Sequence, residues 1–142
     1  VYAPNKDINN KKIRKVFNLN SIAAKSDFIS LNASLKKNNY NLINKKFFEK
    51  MKKNSYFINT AKGDLVNLDH LVKVVIKNKI SGAAIDVYSN ENEDLILNND
   101  KIKLANKGRK NLLFTPHIAG ATTHDRLQLQ NRMIYLVKKY LF

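Results

Sequence analysis

Four short runs of apolar residues, each bounded by polar residues, predict four β-strands. The runs cover residues 27–32, 55–60, 82–88 and 111–115. They are nearly continuous rather than alternating, which is typical of strands in a sheet that is covered on both faces. The fourth run stops before Pro116, which cannot donate a hydrogen bond to a neighbouring strand.

Apolar residues with helical spacing occupy the stretches between these runs. From Asn67, aliphatic residues recur every three or four positions along 68–76, which is the one-sided stripe of a helix that packs on a sheet. Asn44 precedes a shorter segment with two phenylalanines and a methionine on one side. Both asparagines suit the N-cap position, where the side chain accepts a hydrogen bond from the first turn. A last helix is predicted after Thr122 or Thr123, with inward residues at Leu127, Met133, Ile134, Val137 and Leu141.

Strands that alternate with helices predict an α/β fold with a parallel sheet and helical crossovers. In such folds, ligands bind beyond the carboxyl ends of the strands. The positions that follow the four strands are 32–34, 60–63, 86–91 and 115–120. Lys62, Asp86, Glu91 and His117 place a cation, two carboxylates and an imidazole there. This set of groups can hold a small carboxylic acid and move a proton.

The charge of the chain favours a solvated basic surface over a nucleic-acid interface. The 142 residues include 26 Lys+Arg against 11 Asp+Glu, which gives a net charge of +15. The lysines are scattered, arginine is scarce, and no aromatic residues interleave with a basic stripe as a single-strand binder requires. Nucleic-acid association is therefore kept only as an alternative.

The composition also bears on disulfides, metal sites and membrane spans. The chain contains no cysteine, which excludes disulfides and thiolate zinc sites. His117 and His124 lack further ligands for a metal ion, so no metal is expected. No run of 18 apolar residues predicts a membrane span. Because no secretory leader is visible, we expect a cytoplasmic protein.

Ordered motifs in the chain resemble one known family. They are SDFISLN at 26–32, NTAKG at 59–63, GAAIDVY at 82–88 and TPHIAGAT at 115–122. Together they are similar to the second half of the NAD-binding domain of the D-isomer-specific 2-hydroxyacid dehydrogenases, with most similarity to phosphoglycerate-dehydrogenase-like members. The resemblance implies a Rossmann-like sheet and an oxidoreductase of the EC 1.1.1 type. Such an enzyme transfers a hydride between the nicotinamide of NAD and C2 of a 2-hydroxy or 2-keto acid.

The resemblance also implies catalytic roles. His117 matches the acid/base that exchanges a proton with the substrate hydroxyl, and Glu91 matches its hydrogen-bonded partner. Lys62 stands where the family carries a substrate-binding arginine. A lysine keeps the charge but loses the planar fork that grips a carboxylate at two points, so we expect weakened catalysis.

Cofactor contacts follow from the same match. Asp86 is expected to bond the nicotinamide carboxamide, and backbone around Thr60, Ala61 and Gly120 is expected to line the cofactor. Asn32 and Ala33 are expected near its ribose and nicotinamide. Ala3 stands where the family carries an acidic residue for the adenosine ribose, so NADP is an alternative to NAD.

Parts of the family's pattern are missing. The four glycines, at 63, 82, 108 and 120, supply no glycine-rich fingerprint. We therefore expect residues 1–142 to be a partial nucleotide-binding domain, truncated by the first strand and its turn and without the substrate-binding domain. Residues 1–4 read as the end of a strand. Because the first strand of such a sheet is central, its absence predicts an exposed apolar edge. We therefore expect the isolated chain to be marginally stable and prone to aggregation, to bind dinucleotide poorly and to have little activity.

Two function classes stay open within this fold. The first is the dehydrogenase, which acts on a small 2-hydroxy or 2-keto acid and, by resemblance, forms a homodimer. The second is a non-catalytic derivative that keeps the fold for dinucleotide binding or assembly, which the lysine at position 62 permits. Reduction of 2-keto acids with NADH or NADPH distinguishes the two classes.

Overall fold

The computed structural model describes residues 1–3, 7–89, 103, 111–120, 126–128 and 131. Its helices are α1 (Leu19–Lys25), α2 (Lys45–Glu49) and α3 (Leu68–Ile76), with a single 3-10 turn at Gly63–Leu65 in the described part. Its strands are β1 (Phe28–Leu31), β2 (Tyr56–Asn59), β3 (Gly82–Ile85) and β4 (Leu112–Phe114). All four predicted strands are confirmed.

The four strands form one parallel sheet in the order β1-β2-β3-β4. At its carboxyl edge, Asn59 pairs with Leu31 and Ile85, and Ile85 also pairs with Phe114. The segments that follow the strands therefore emerge side by side. The predicted Rossmann-like α/β architecture is confirmed.

The core lies between one face of the sheet and the helices. Phe57 of β2 is fully buried, and its ring centre lies 5.4 Å from that of Phe48 in α2 with the planes nearly perpendicular. Leu71 and Val75 of α3 are buried in the same cluster. Aromatic rings at this spacing and angle add to the stabilisation that burial provides.

The opposite face of the sheet is exposed in the part of the chain that the structure describes. Phe28 is 69% exposed and Tyr56 43%, and their rings stack on one another at 5.3 Å. Leu113 on β4 is 59% exposed on the same face. The prediction of a sheet covered on both faces therefore holds for one face only, as far as the described residues go. β1 is an edge strand of the described sheet.

The predicted helix starts are confirmed at two asparagines. The Oδ1 of Asn44 accepts a hydrogen bond from the backbone N–H of Lys46 at 3.0 Å, and the Oδ1 of Asn67 accepts one from that of His70 at 3.0 Å. These bonds satisfy N–H groups that have no partner within the helix.

Three other features complete the comparison with the sequence. Helix α1 was not predicted. Tyr2 forms an isolated parallel bridge with Val16 outside the four-stranded sheet, and the strand end expected at residues 1–4 stays a prediction. Most of the predicted last helix, including both candidate caps, lies outside the described residues, although 126–128 are helical. None of the described helices has the length and apolar character needed to cross a membrane.

Candidate functional site

A cleft of about 570 Å³ opens at the carboxyl edge of the sheet. Its walls come from the segments that follow β1, β2, β3 and β4, as the parallel topology requires. The lining residues are Asn32, Ala33, Ser34, Leu35, Thr60, Ala61, Lys62, Val87 and His117. Six of the nine predicted site residues are in this set.

The other three predicted residues are not in this set. Asp86 is buried behind the cleft and forms hydrogen bonds with the segment that carries His117. Gly120 is exposed at the end of that segment. Glu91, the expected partner of His117, lies outside the described residues.

A buried asparagine, Asn59, positions the backbone of the cleft wall that follows β2. Asn59 is 1% exposed, and its Nδ2 donates to the carbonyl of Val87 at 3.0 Å while its Oδ1 accepts from the N–H of Ala61 at 3.0 Å. One side chain thereby joins the ends of β2 and β3 and orients the backbone that leads to Lys62. Sequence reasoning gave Asn59 no role, although a polar residue inside an apolar strand pattern was a usable signal.

Lys62 is exposed, and it precedes a glycine that the packing requires. A Cβ at Gly63 would lie closer than 3.0 Å to backbone atoms of Tyr88 and Ser89, a separation that real Cβ atoms essentially never show. The 3-10 turn after Lys62 therefore packs directly on the backbone that follows β3. This close approach fixes the turn that follows Lys62, and Lys62 lines the same cleft as Asn32 and Ala33, which follow β1.

Asp86 accepts several hydrogen bonds. Its Oδ1 accepts from the Thr115 hydroxyl at 2.6 Å and from the N–H of Ile118 at 3.0 Å. The N–H of Ala119 lies 3.2 Å from Oδ1 and 3.1 Å from Oδ2. Burial disfavours the charged carboxylate, but these donors and the nearby His117 outweigh it and lower the pKa of Asp86 below its ordinary 3.8. Asp86 is therefore an anion at neutral pH.

His117 has an unusual backbone conformation. Its φ is 53°, in the left-handed region, and its N–H donates to the carbonyl of Asp86 at 2.9 Å and to that of Thr115 at 3.0 Å. A non-glycine residue rarely adopts this φ, and such residues concentrate at functional sites. The result is an exposed imidazole on the same cleft as the ammonium of Lys62.

This arrangement suits a small anionic substrate beside a planar ring. The cation can pair with a carboxylate, and the imidazole can exchange a proton with an adjacent oxygen. The small side chains of Ala33 and Ala61 leave space for a flat ring, and the exposed Asn32 and Thr60 supply polar groups at its edge. The expected position of the nicotinamide at this cleft stays a prediction. Within the described residues, no group of three or more His, Cys, Asp or Glu could hold a metal ion.

Comparison with known proteins identifies the family. Residues 1–119 match the family described as D-isomer specific 2-hydroxyacid dehydrogenase, NAD binding domain. The chain belongs to this family. The resemblance inferred from the motifs is thereby confirmed, whereas the closer similarity to phosphoglycerate-dehydrogenase-like members stays a prediction.

Named dehydrogenases share the matched region. The chain is 40% identical over 111 residues to glyoxylate reductase of Thermofilum pendens, a match that covers 78% of the chain and 31% of that protein. It is 41% identical over 105 residues to human glyoxylate reductase/hydroxypyruvate reductase, with 74% and 30% covered. The chain therefore spans about a third of the length of these curated relatives.

A solved structure shows the same fold. The D-lactate dehydrogenase from Aquifex aeolicus, complexed with NAD and lactic acid, superposes with a TM-score of 0.73 at 30% identity. The match covers 99% of this chain and 45% of that one. The sheet and the strand-end segments thus follow the architecture of a D-2-hydroxyacid dehydrogenase.

Proposed function

We propose that the natural protein that carries this chain is an NAD-dependent D-2-hydroxyacid dehydrogenase. The observation that supports this most is that Lys62 and His117, 55 positions apart, line one cleft in a chain of this family. The relatives named as glyoxylate reductase and D-lactate dehydrogenase support a small 2-hydroxy or 2-keto acid as substrate.

Lys62 would bind the carboxylate of the substrate. Its ammonium group is exposed on the cleft wall and can donate to one carboxylate oxygen at a time. An arginine fork makes two parallel bonds instead, so the lysine holds the acid with more rotational freedom. This difference predicts a raised KM for the acid rather than a loss of the reaction.

His117 would move the proton. In the oxidative direction, the imidazole takes the proton of the C2 hydroxyl while the hydride leaves C2, and a 2-keto acid forms. In the reductive direction, the imidazolium returns the proton to the oxygen. NAD, when bound, supplies the acceptor or donor of the hydride at its nicotinamide ring.

The cofactor contacts follow from the cleft lining. Asn32, Ala33, Thr60 and Ala61 would surround the nicotinamide and its ribose, and Gly120 would let backbone approach the cofactor. The expected bond between Asp86 and the nicotinamide carboxamide stays a prediction, and the Kd of NADH in an Asp86 variant tests it. NADP stays an alternative to NAD. The partial nucleotide-binding domain, the homodimer and the cytoplasmic location also stay predictions.

Steady-state reduction of glyoxylate, pyruvate and hydroxypyruvate with NADH and NADPH tests the proposal. We expect Lys62→Met to raise the KM of the keto acid with little change in the Kd of NADH, and Lys62→Arg to lower that KM. Lys53→Met is the matched control, because it removes the same charge from an exposed turn outside the cleft. His117→Ala should lower kcat by about 10²- to 10⁴-fold.

Lys62 also favours an alternative function, that of a non-catalytic derivative. A non-catalytic derivative would bind NADH and reduce none of these acids, and Lys62→Arg would not restore turnover. Wild-type protein that binds NADH tightly without turnover would therefore contradict the proposal and support the derivative.

A further inference from the structure

One carboxylate accepts several hydrogen bonds from the segment that carries His117, in addition to the backbone bonds of Thr115 and His117. We define the His117 loop as residues 115–120, most of which are exposed. The hydrogen bonds described for the Asp86 carboxylate all come from this loop: the Thr115 hydroxyl and the N–H groups of Ile118 and Ala119. Asp86 is only 5% exposed, so an exposed loop is fixed to a buried charge that directly follows the neighbouring strand β3.

The backbone of the loop explains why a carboxylate fits there. Successive N–H groups around a left-handed residue point to a common centre and form a concavity that binds anions. His117 is the left-handed residue, and the two N–H groups that follow it converge on Asp86. The bonds of the carboxylate and the φ of His117 therefore stabilise each other, which offsets the strain of a left-handed histidine.

We propose that Asp86 is a positioning residue for His117. Its carboxylate fixes the amides of Ile118 and Ala119, and so sets where the imidazole lies relative to a substrate oxygen. Thr115 assists, because its hydroxyl donates to the same Oδ1 at 2.6 Å. The inference rests on the proposed function, since the position of the imidazole matters only if His117 exchanges the substrate proton.

This role differs from a direct bond between Asp86 and the cofactor. A residue that acts on the cofactor alters the Kd of NADH. A residue that acts through the His117 loop alters kcat instead, because displacement of a catalytic group by about 1 Å slows the chemical step. The lowered pKa of Asp86 supports the second role, since its described bonds already favour the charged form.

The test uses two changes of side-chain chemistry at nearly constant shape. Asp86→Asn keeps the volume and one acceptor oxygen, but it removes the negative charge and replaces the other oxygen by an NH2 group, which cannot accept from the N–H of Ala119. Thr115→Val removes the hydroxyl, and Thr115→Ser is its matched control because it keeps the donor. Each variant of the natural protein is assayed for kcat with a 2-keto acid at saturating NADH and for the Kd of NADH.

We expect Asp86→Asn to lower kcat by about 10- to 100-fold, as changes in groups that orient functional residues do, with the Kd of NADH within about threefold of wild type. Thr115→Val should lower kcat in the same direction, Thr115→Ser should restore it, and the Asp86→Asn/Thr115→Val double variant should lose little more than Asp86→Asn alone. A Kd for NADH raised by Asp86→Asn with an unchanged kcat would overturn the inference. Equal kcat values for Thr115→Val and Thr115→Ser would also overturn it, even if Asp86→Asn fails to fold.

Amide hydrogen exchange separates failure of this inference from failure of the proposed function. Ile118 and Ala119 should exchange slowly in wild type and faster in Thr115→Val, whether or not the protein turns over a keto acid. If wild type has no reductase activity but shows this difference, the proposed function fails while the loop contact stands. If the two amides exchange at the same rate in both proteins, the loop contact itself is wrong.

Discussion

Replacement of Gly63 by alanine perturbs the contact that fixes the turn after Lys62. The φ of Gly63 lies outside the left-handed region, so alanine is compatible with the backbone conformation. The added Cβ, however, would lie at least 1 Å inside the 3.4 Å at which ordinary van der Waals contact begins, against backbone atoms of Tyr88 and Ser89. Backbone atoms cannot rotate away as a flexible side chain can.

The expected loss follows from two opposed effects. Forced overpacking of this kind costs about 3 kcal/mol, the upper part of the usual range, because both sides of the contact are backbone. Alanine also restricts the unfolded chain, which returns about 0.4 to 1 kcal/mol of stability. The net loss is therefore about 2 kcal/mol, or a decrease in Tm of roughly 8 °C for a chain of this size.

Thermal and urea unfolding of a glycine series measure this loss. Gly82→Ala should be intermediate, because its Cβ would lie 2.6 Å from the carbonyl oxygen of Asn111. Gly120→Ala is the control, since no atom of the described residues lies within 4 Å of its Cβ, and we expect a change within about 0.5 kcal/mol. Equal stability of Gly63→Ala and Gly120→Ala would refute the packing of the 3-10 turn on the backbone after β3.

Three further changes test the core, a helix cap and the buried carboxylate. Phe48→Ala, which empties the aromatic cluster around Phe57, should lower the free energy of unfolding by about 3 to 5 kcal/mol in urea titrations, and a loss below 1 kcal/mol would contradict the burial. Asn67→Ala should cost about 1 kcal/mol and Asn67→Asp much less, because only the first loses the acceptor for the N–H of His70. Although burial opposes ionisation of Asp86, its donors lower the folded pKa below 3.8. Its contribution to stability is thus complete above about pH 3.8 and lost as the pH falls through the folded pKa. Melting curves from pH 7 to pH 2 should show a shallower acid-side decrease in Asp86→Asn, and parallel curves would contradict the assignment.

The main strands and helices were predictable because their residue preferences and their packing in the fold favour the same secondary structure. β2 and β3 are short apolar runs with polar ends, and α3 combines a one-sided stripe with an asparagine cap. Helix α1 was missed because it is only seven residues long and follows a stretch rich in asparagine and lysine. Its stability depends on the burial of Ala23 and on the cap at Asn18, and the burial is set by the rest of the fold.

The sequence predicted the main residues of the candidate site, but it did not predict the hydrogen bonds that hold them in place. The motifs indicated Lys62 and His117, and a parallel sheet brings their segments to one edge. The hydrogen bonds of Asn59 with Val87 and of Asp86 with Ile118 join positions 28 and 32 residues apart. Partners at such separations depend on the register of the strands, and the left-handed φ of His117 depends on those bonds.

Deuterium transfer measures the proposed chemistry most directly. The natural protein is supplied with pyruvate and NADH that carries two deuterium atoms at C4 of the nicotinamide, and the product is analysed by mass spectrometry and chiral chromatography. We predict D-lactate with deuterium at C2, formed at least about 100-fold more slowly by His117→Ala. Absence of deuterium at C2, or a His117→Ala variant as fast as wild type, would contradict hydride transfer at the cleft of Lys62 and His117.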